Sequence, residues 1–357
     1  MGALDGLRVV EIAGLGPTPF SAMWLADHGA EVIRITRPGA RHVLGLDRDV
    51  LDRGRDWIEL DLKSEAGREA ARALISRADA LIEGMRPGVM ERLGLGPGDF
   101  PENPRLVYGR MTGWGQAGPL SHSAGHDITY LAITGALHAI GPADHPVAPL
   151  NLLGDFAGGS MYLVAGMLAA ILHARTTGQG QVVDAAISDG VAHLMAMISG
   201  MRAAGMWADR RAANILDGAA PYYGTYRCAD GRHLAIGAIE PQFWAELLER
   251  LGIDPASLPD RADPANWPAI RARLAEVIAT RSRDDWAALL EGTDACAAPI
   301  LSIDEAPRHP HMQVRASFTG AEPSPAPQLS ATPGSLRPGQ QITPEAALVR
   351  WQAAAGG

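Results

Sequence analysis

Several groups of residues could do chemistry. A glycine turn, Ala13-Gly14-Leu15-Gly16-Pro17, follows the first strand-like run, and a literal GxGxxG stands at Gly113, Gly115 and Gly118. Either could cradle a phosphate, because glycine lets backbone N–H groups approach a diphosphate at the start of a helix. The first turn lacks the third glycine and carries two prolines. The second is followed by Pro119 and a polar run that deny it a helix, so it reads as a decoy. The second strand ends Ile35-Thr36-Arg37, where a site for an unphosphorylated dinucleotide would want Asp or Glu, so Arg37 suits a phosphorylated ribose instead. NADP and coenzyme A both fit that. Taken alone, Arg37 reads equally as a solvated charge at a strand end, His126 as a capping or core histidine, and Asp155 as a helix-entry residue before Gly158-Gly159-Ser160. The methionines at 195, 197, 201 and 206 read as core or interface, with a flexible acyl contact as the functional alternative. His309-Pro310-His311 has no Cys or Asp at ligand spacing, so no metal is expected there.

These residues need a scaffold, and the first 110 residues supply its rhythm. Strand-like runs at Leu7 to Ile12, Glu31 to Ile35, Trp57 to Leu60, Ala80 to Ile82 and Leu106 to Met111 alternate with helical patterns at Ser21 to His28 and from Ser64. Such alternation predicts a parallel sheet of βαβ units. Helical patterns dominate from Asp127 to about Trp207. Two β-rich runs then flank Ala229-Asp230-Gly231, a hairpin signal. Helices are predicted over Phe243 to Leu251 and Trp267 to Arg281, and a short strand near Ala297 to Leu301.

The expected fold is α/β: a large domain with a Rossmann-like open parallel sheet flanked by helices, plus a smaller α+β domain. The expected organisation is a large domain over 1–190, a helical linker over 191–220, the small domain over 221–305, a return linker over 306–343 that holds five prolines between 323 and 338, and a C-terminal helix over 344–357 that rejoins the large domain.

Composition excludes several classes. The 357 residues are 47% hydrophobic and 20% charged with a net charge of −9, which leaves no basic footprint for nucleic acid. Two cysteines without CxxC argue against a disulfide framework and fit a cytoplasmic setting. No targeting signal is read at either end. The most apolar run, Met161 to Leu172, is shorter than the roughly 20 residues that cross a bilayer, so no membrane partner is expected.

Three longer motifs carry a resemblance. Leu25-Ala26-Asp27-His28-Gly29-Ala30-Glu31-Val32-Ile33-Arg34-Ile35, the run Glu83-Gly84-Met85-Arg86-Pro87-Gly88-Val89-Met90-Glu91-Arg92-Leu93-Gly94-Leu95, and Gly113-Trp114-Gly115-Gln116-Ala117-Gly118-Pro119 resemble the family III coenzyme A transferases (CaiB/BaiF-like) over essentially the whole chain. Gly125-His126-Asp127, Gly154-Asp155-Phe156 and Ile239-Glu240-Pro241-Gln242-Phe243 resemble the racemase branch of that family. The sequence departs from the common pattern at Arg55 to Glu59, where relatives carry more basic residues, and at Ala157.

The resemblance implies that Arg37, Leu60, Asp61, Leu62, Lys63, Gly84, Met85, Arg86, Arg92, Gly125, His126, Asp127, Ile128, Thr129 and Tyr130 contact coenzyme A. It implies His126 and Asp155 as catalytic bases, with Glu240 holding the imidazole across an interlocked homodimer. The implied reaction interconverts (R)- and (S)-2-methylacyl-CoA with no cofactor beyond the coenzyme A of the substrate. A family III transferase using Asp155 as nucleophile is the alternative. Removing and returning a proton on opposite faces of one carbon requires two bases, and the resulting enolate needs hydrogen-bond donors, which a helix beginning at Asp127 would offer.

Overall fold

The computed structural model describes residues 2–40, 45–46 and 49–353. The last four positions of the terminal helix expected over 344–357 lie outside the described residues. The chain divides into two compact units, one of residues 1–136, 149–195 and 310–357, the other of residues 137–148 and 196–309.

The first unit is built on a six-stranded parallel sheet in the order β3-β2-β1-β4-β5-β6, from β1 (Arg8–Ile12), β2 (Glu31–Thr36), β3 (Arg55–Glu59), β4 (Ala80–Glu83), β5 (Val107–Thr112) and β6 (Val182–Ala186). This is the doubly wound order, so the Rossmann-like expectation holds. The central strands are buried along their length, as a sheet covered on both faces demands. One strand was not anticipated. β6 lies in a stretch read as helical, because its five residues, half exposed and directly followed by a helix, leave no long apolar run.

Helices α1 (Pro17–Asp27), α2 (Glu65–Ile75) and the one-turn α3 (Val89–Arg92) connect the early strands. Ser64 caps α2 through its hydroxyl, which accepts the Gly67 N–H at 3.0 Å. After β5 come α4 (Asp127–Ala132), α5 (Ala136–Ala139), a π-helical segment over Leu152–Ser160, α6 (Met161–Thr177), α7 (Ile187–Leu194) and α8 (Ala196–Ala203).

The π segment and α6 run on as one helix of 26 residues, long and apolar enough by length and composition to cross a bilayer. That corrects the reading of Met161 to Leu172 as too short: the helix starts nine residues earlier, at Leu152. One face of α6, with Leu163, Val164, Met167, Ala170 and Ile171, is buried in the unit.

The Pro-rich return does more than connect. Trp57 donates its N–H to Gln340 O at 3.0 Å and accepts from the Ile342 N–H at 3.0 Å, so the return pairs with the open edge of β3. It delivers α13 (Pro344–Ala353), whose Trp351 is 1% exposed in the core with Leu74, Ile75 and Tyr108. Arg55, in the segment that departs from the family pattern, is equally buried and forms an ion pair with Glu11 of β1. It therefore serves the fold rather than a phosphate.

The second unit has a three-stranded antiparallel sheet of β7 (Gly224–Arg227), β8 (His233–Ile236) and β9 (Ala297–Pro299), with the hairpin at Asp230-Gly231 as expected. Helices α9 (Pro241–Leu251), α10 (Trp267–Ile278) and α11 (Arg283–Leu290) cover it. Leu234, Ile236, Leu247, Leu248, Ile270, Leu274 and Trp286 form its core.

Candidate active site

In a doubly wound sheet, strands on either side of the point where the order reverses send their following loops in opposite directions. The crevice between those loops, at the carboxyl ends of the strands, is where ligands sit. Here the reversal falls between β1 and β4. The turn after β1 (Ala13 to Gly16), the loop after β4 (Gly84 to Pro87) and the loop after β5 (Gly113 to His126) all emerge at that end. A cavity of about 230 Å³ opens there, lined by Gly84, Met85, Arg86, Gly113, Trp114, Ser121, Gly125, His126 and Tyr130 among others. A larger depression of about 800 Å³ lies along β2 and β3, but its arginines are taken up, Arg34, Arg53 and Arg55 in ion pairs with Asp52, Asp27 and Glu11, and Arg337 by the Ala26 and Ala30 carbonyls.

His126 stands at the N-cap of α4 in an extended conformation. Its backbone is fixed reciprocally: the Thr129 hydroxyl accepts the His126 N–H at 2.9 Å and donates to His126 O at 2.7 Å. The helix is six residues long, so it contributes individual first-turn N–H groups rather than a macrodipole of any size. The Tyr130 hydroxyl donates to Gly125 O, and its ring meets Trp114 edge to face at 4.8 Å, which holds the loop carrying His126 against the cavity wall.

Asp155 sits in the π segment, an arrangement with one extra residue in a helical turn that recurs at functional sites. The segment is braced on α1. Ser160 Oγ donates to Pro17 O at 2.8 Å, Ser21 Oγ donates to Ser160 O at 3.3 Å, and Phe156 stacks on Phe20 at 4.5 Å. Gly16, at φ +68°, lets the turn after β1 pass beneath the carboxylate: a Cβ there would lie 3.0 Å from Asp155 Oδ2. Burial pushes the Asp155 carboxyl from 3.8 up to about 6, and the neighbouring Asp127 charge adds to the rise, against a hydrogen bond from Asn151 and the field of His126.

A raised carboxyl pKa means that the fold disfavours the ionised form. The penalty is absent below the unfolded value near pH 4, grows as pH rises to about 6, and is constant above it. Asp155→Asn is therefore expected to stabilise the protein at pH 7.5 by roughly 1–2 kcal/mol after allowance for partial exposure, with the gain vanishing at pH 4. Urea unfolding of both proteins at the two pH values checks this. An equal gain at pH 4 would refute it.

The other expected residues divide into two sets. Gly84, Met85, Arg86, Gly125, His126 and Tyr130 line the cavity. Arg37, Leu60, Asp61, Leu62, Lys63 and Arg92 do not, although Arg37 and the run from Leu60 to Lys63 also follow the carboxyl ends of their strands, β2 and β3. Leu60 and Leu62 turn their side chains onto the core. Asp61 accepts the Lys63 N–H at 3.0 Å and, through its carbonyl, the Ser64 hydroxyl at 2.8 Å, and so serves the entry to α2. Ile128 is exposed, while Asp127 turns its carboxylate towards the π segment. Glu240 is exposed at the N-cap of α9 in the second unit. Met197 and Met206 are 64% and 68% exposed.

Sequence reasoning missed Asn151, Trp114, Ser121 and the support under the cavity. Glu83, at the end of β4, is fully buried. It accepts the Met85 N–H at 2.6 Å and the Arg110 Nε–H at 3.0 Å, while Arg110 also reaches Glu91 at 2.7 Å. An acid at the end of one strand and an arginine on the next was the available signal.

Residues 4–340 match the CoA-transferase family III. The chain is 45% identical to the alpha-methylacyl-CoA racemase of Mus musculus over 92% of this chain and 87% of that one, and 44% identical to the protein of the same name from Homo sapiens over 93% and 87%. Among solved structures it is similar to a CAIB/BAIF family protein from Brucella suis, with a TM-score of 0.83, 25% identity and 99% of each chain covered.

Proposed function

We propose, from the premise that this chain belongs to the CoA-transferase family III, that it is an isomerase, a racemase that interconverts (R)- and (S)-2-methylacyl-CoA by removing the α-proton on one face and returning a proton on the other, with His126 and Asp155 as the two bases. The observation that carries this reading is a half-buried Asp155 carboxyl, raised to about 6 and within the electrostatic reach of His126, beside the Gly16 turn that follows β1 where the sheet order reverses. The identities to two curated racemases support the same assignment.

In one direction neutral His126 takes the α-proton, leaving an enolate, and protonated Asp155 delivers a proton to the opposite face. In the other, the Asp155 carboxylate is the base and the His126 imidazolium the acid. The pair holds one proton in both directions, so the enzyme is ready for either epimer. An ordinary carboxyl near 3.8 would be protonated in roughly one molecule in a thousand at pH 7, whereas one near 6 is protonated in about one in ten. The shift thus raises the proton-donating form about a hundredfold. No cofactor beyond the coenzyme A of the substrate is required. Arg86 at the cavity and Arg37 beyond β2 are assigned to the coenzyme A phosphates, and Glu240, from a second copy of the chain in a homodimer, to orienting the imidazole.

Incubation with (R)-2-methylacyl-CoA in deuterated water, with no acceptor acid, is expected to give α-deuteration together with the S epimer. No exchange in that experiment, but transfer of coenzyme A once a free carboxylic acid is added, would move the assignment to a transferase with Asp155 as nucleophile.

A further inference from the structure

Asp127 occupies the first position of α4, where an acidic side chain ordinarily faces solvent and complements the helix end. Its carboxylate instead turns inward. It accepts the Asp155 N–H at 2.6 Å and a second hydrogen bond from the Gly154 backbone, satisfying donors at the start of the π segment that have no partner within that helix. Burial raises its own carboxyl pKa, a cost that a solvated helix-end acid would not bear. The approach depends on residue 154 being glycine, because a Cβ there would fall 2.1 Å from Asp127 Oδ1. Asp127 adjoins one base in sequence and grips the backbone of the other.

We propose that the Asp127 carboxylate is a positioning residue for the reaction, a clamp that fixes the π segment carrying Asp155 relative to the helix end carrying His126 and places a negative charge beside the Asp155 carboxyl. The proposal rests on the two-base reading given above. It also departs from the role that the family resemblance suggests for Asp127, a contact to coenzyme A.

The groups facing Asp155 are few. From α4 come Asp127, His126 and the Tyr130 phenol, with Arg86 acting on that phenol from the loop after β4. Asn151 donates a hydrogen bond to it. The turn after β1 and the buried part of α1 bring no charged residue between Ala13 and Ala26. On α7, Asp189 is exposed and His193 bonds Tyr162 at 2.6 Å. On β5, Arg110 is paired with Glu83 and Glu91, and on β6 the Asp184 carboxylate accepts the Gln116 N–H at 3.1 Å. Asp127 is thus the one carboxylate among the described residues that is hydrogen-bonded to the Asp155 backbone.

The test is Asp127→Asn, which keeps one acceptor and removes the charge. Two readouts are taken: the infrared titration of the Asp155 carboxyl in ligand-free protein, obtained as the difference from Asp155→Asn, and the steady-state rate of α-deuteration of 2-methylacyl-CoA. The Asp155 midpoint is expected to fall by about one pH unit, and kcat by roughly 10- to 100-fold, with KM changed by less than about threefold. An unmoved midpoint with unchanged kcat overturns the proposal. So does a raised KM with kcat intact, which would make Asp127 a coenzyme A contact. If the unmodified protein exchanges no α-proton, the racemase reading fails, and the infrared titration still decides whether Asp127 is coupled to Asp155. If Asp127→Asn does not fold, Gly154→Ala displaces the carboxylate while leaving it charged. The same loss of kcat is then expected, and its absence counts against the clamp.

Discussion

His126→Asn and Asp155→Asn each lose epimerisation of 2-methylacyl-CoA by at least about a thousandfold, yet each still exchanges the α-proton of one epimer, a different one in each variant, with solvent deuterium. The loss is what removing one member of a positioned acid–base pair costs, 10²- to 10⁴-fold for each proton transfer. The surviving exchange follows from the division of faces. A base that remains can still take the proton pointing at it, form the enolate and return a deuteron to the same side, so label enters without inversion. A one-base mechanism, in which a single group reaches both faces, predicts that one variant loses exchange of both epimers and the other loses none. Proton NMR of each separated epimer in deuterated water distinguishes the two outcomes.

Arg110→Met is expected to destabilise the first unit by about 3–5 kcal/mol at pH 8 and by distinctly less at pH 6. The cause lies in Glu83, fully buried at the end of β4, whose carboxyl burial raises to about 7 even with Arg110 and the Met85 N–H opposing the shift. Without the guanidinium, an ionised Glu83 has no compensating charge, so its pKa climbs further and folding favours the protonated acid. The sign follows from that. The folded state of the variant binds a proton that the unfolded chain releases near pH 4.5, so stability is lost as pH rises through the folded value and regained below it. Chemical denaturation across pH 6 to 8 measures the slope. A destabilisation that does not depend on pH would place the cost in the lost contact of the guanidinium with the Tyr108 ring instead.

The sheet was legible where burial on both faces wrote continuous apolar runs, as in Val9 to Ile12 and Ala80 to Ile82. It was not legible at Val182–Ala186, where an edge strand with exposed alternate residues passes straight into a helix. The candidate pair was legible only through motifs: nothing around Gly154-Asp155-Phe156 announces a π turn, since a nine-residue segment of mostly apolar and glycine residues has no readable period. The inward turn of Asp127 was invisible for another reason. The contact spans 28 residues and depends on a missing side chain at Gly154, and sequence spacing encodes neither fact. Arg55 is a further case, a charge at a strand start whose role in the fold shows only once Glu11, 44 positions away, is seen beside it.

The seam between β3 and the return near Gln340 also sets a schedule for synthesis. The edge of β3 leaves the ribosome about 280 residues before the strand-like segment that covers it, and at roughly 5–20 residues per second that is a wait of some 15–60 s. Over that interval the second unit, contiguous from 196 to 309 apart from one short excursion, emerges and can collapse first. The nascent first unit meanwhile presents unpaired backbone along Arg55 to Glu59 and an empty berth for Trp351. Ribosome-bound chains halted just before residue 336 would be expected to recruit holdase chaperones, and chains released after Trp351 would shed them.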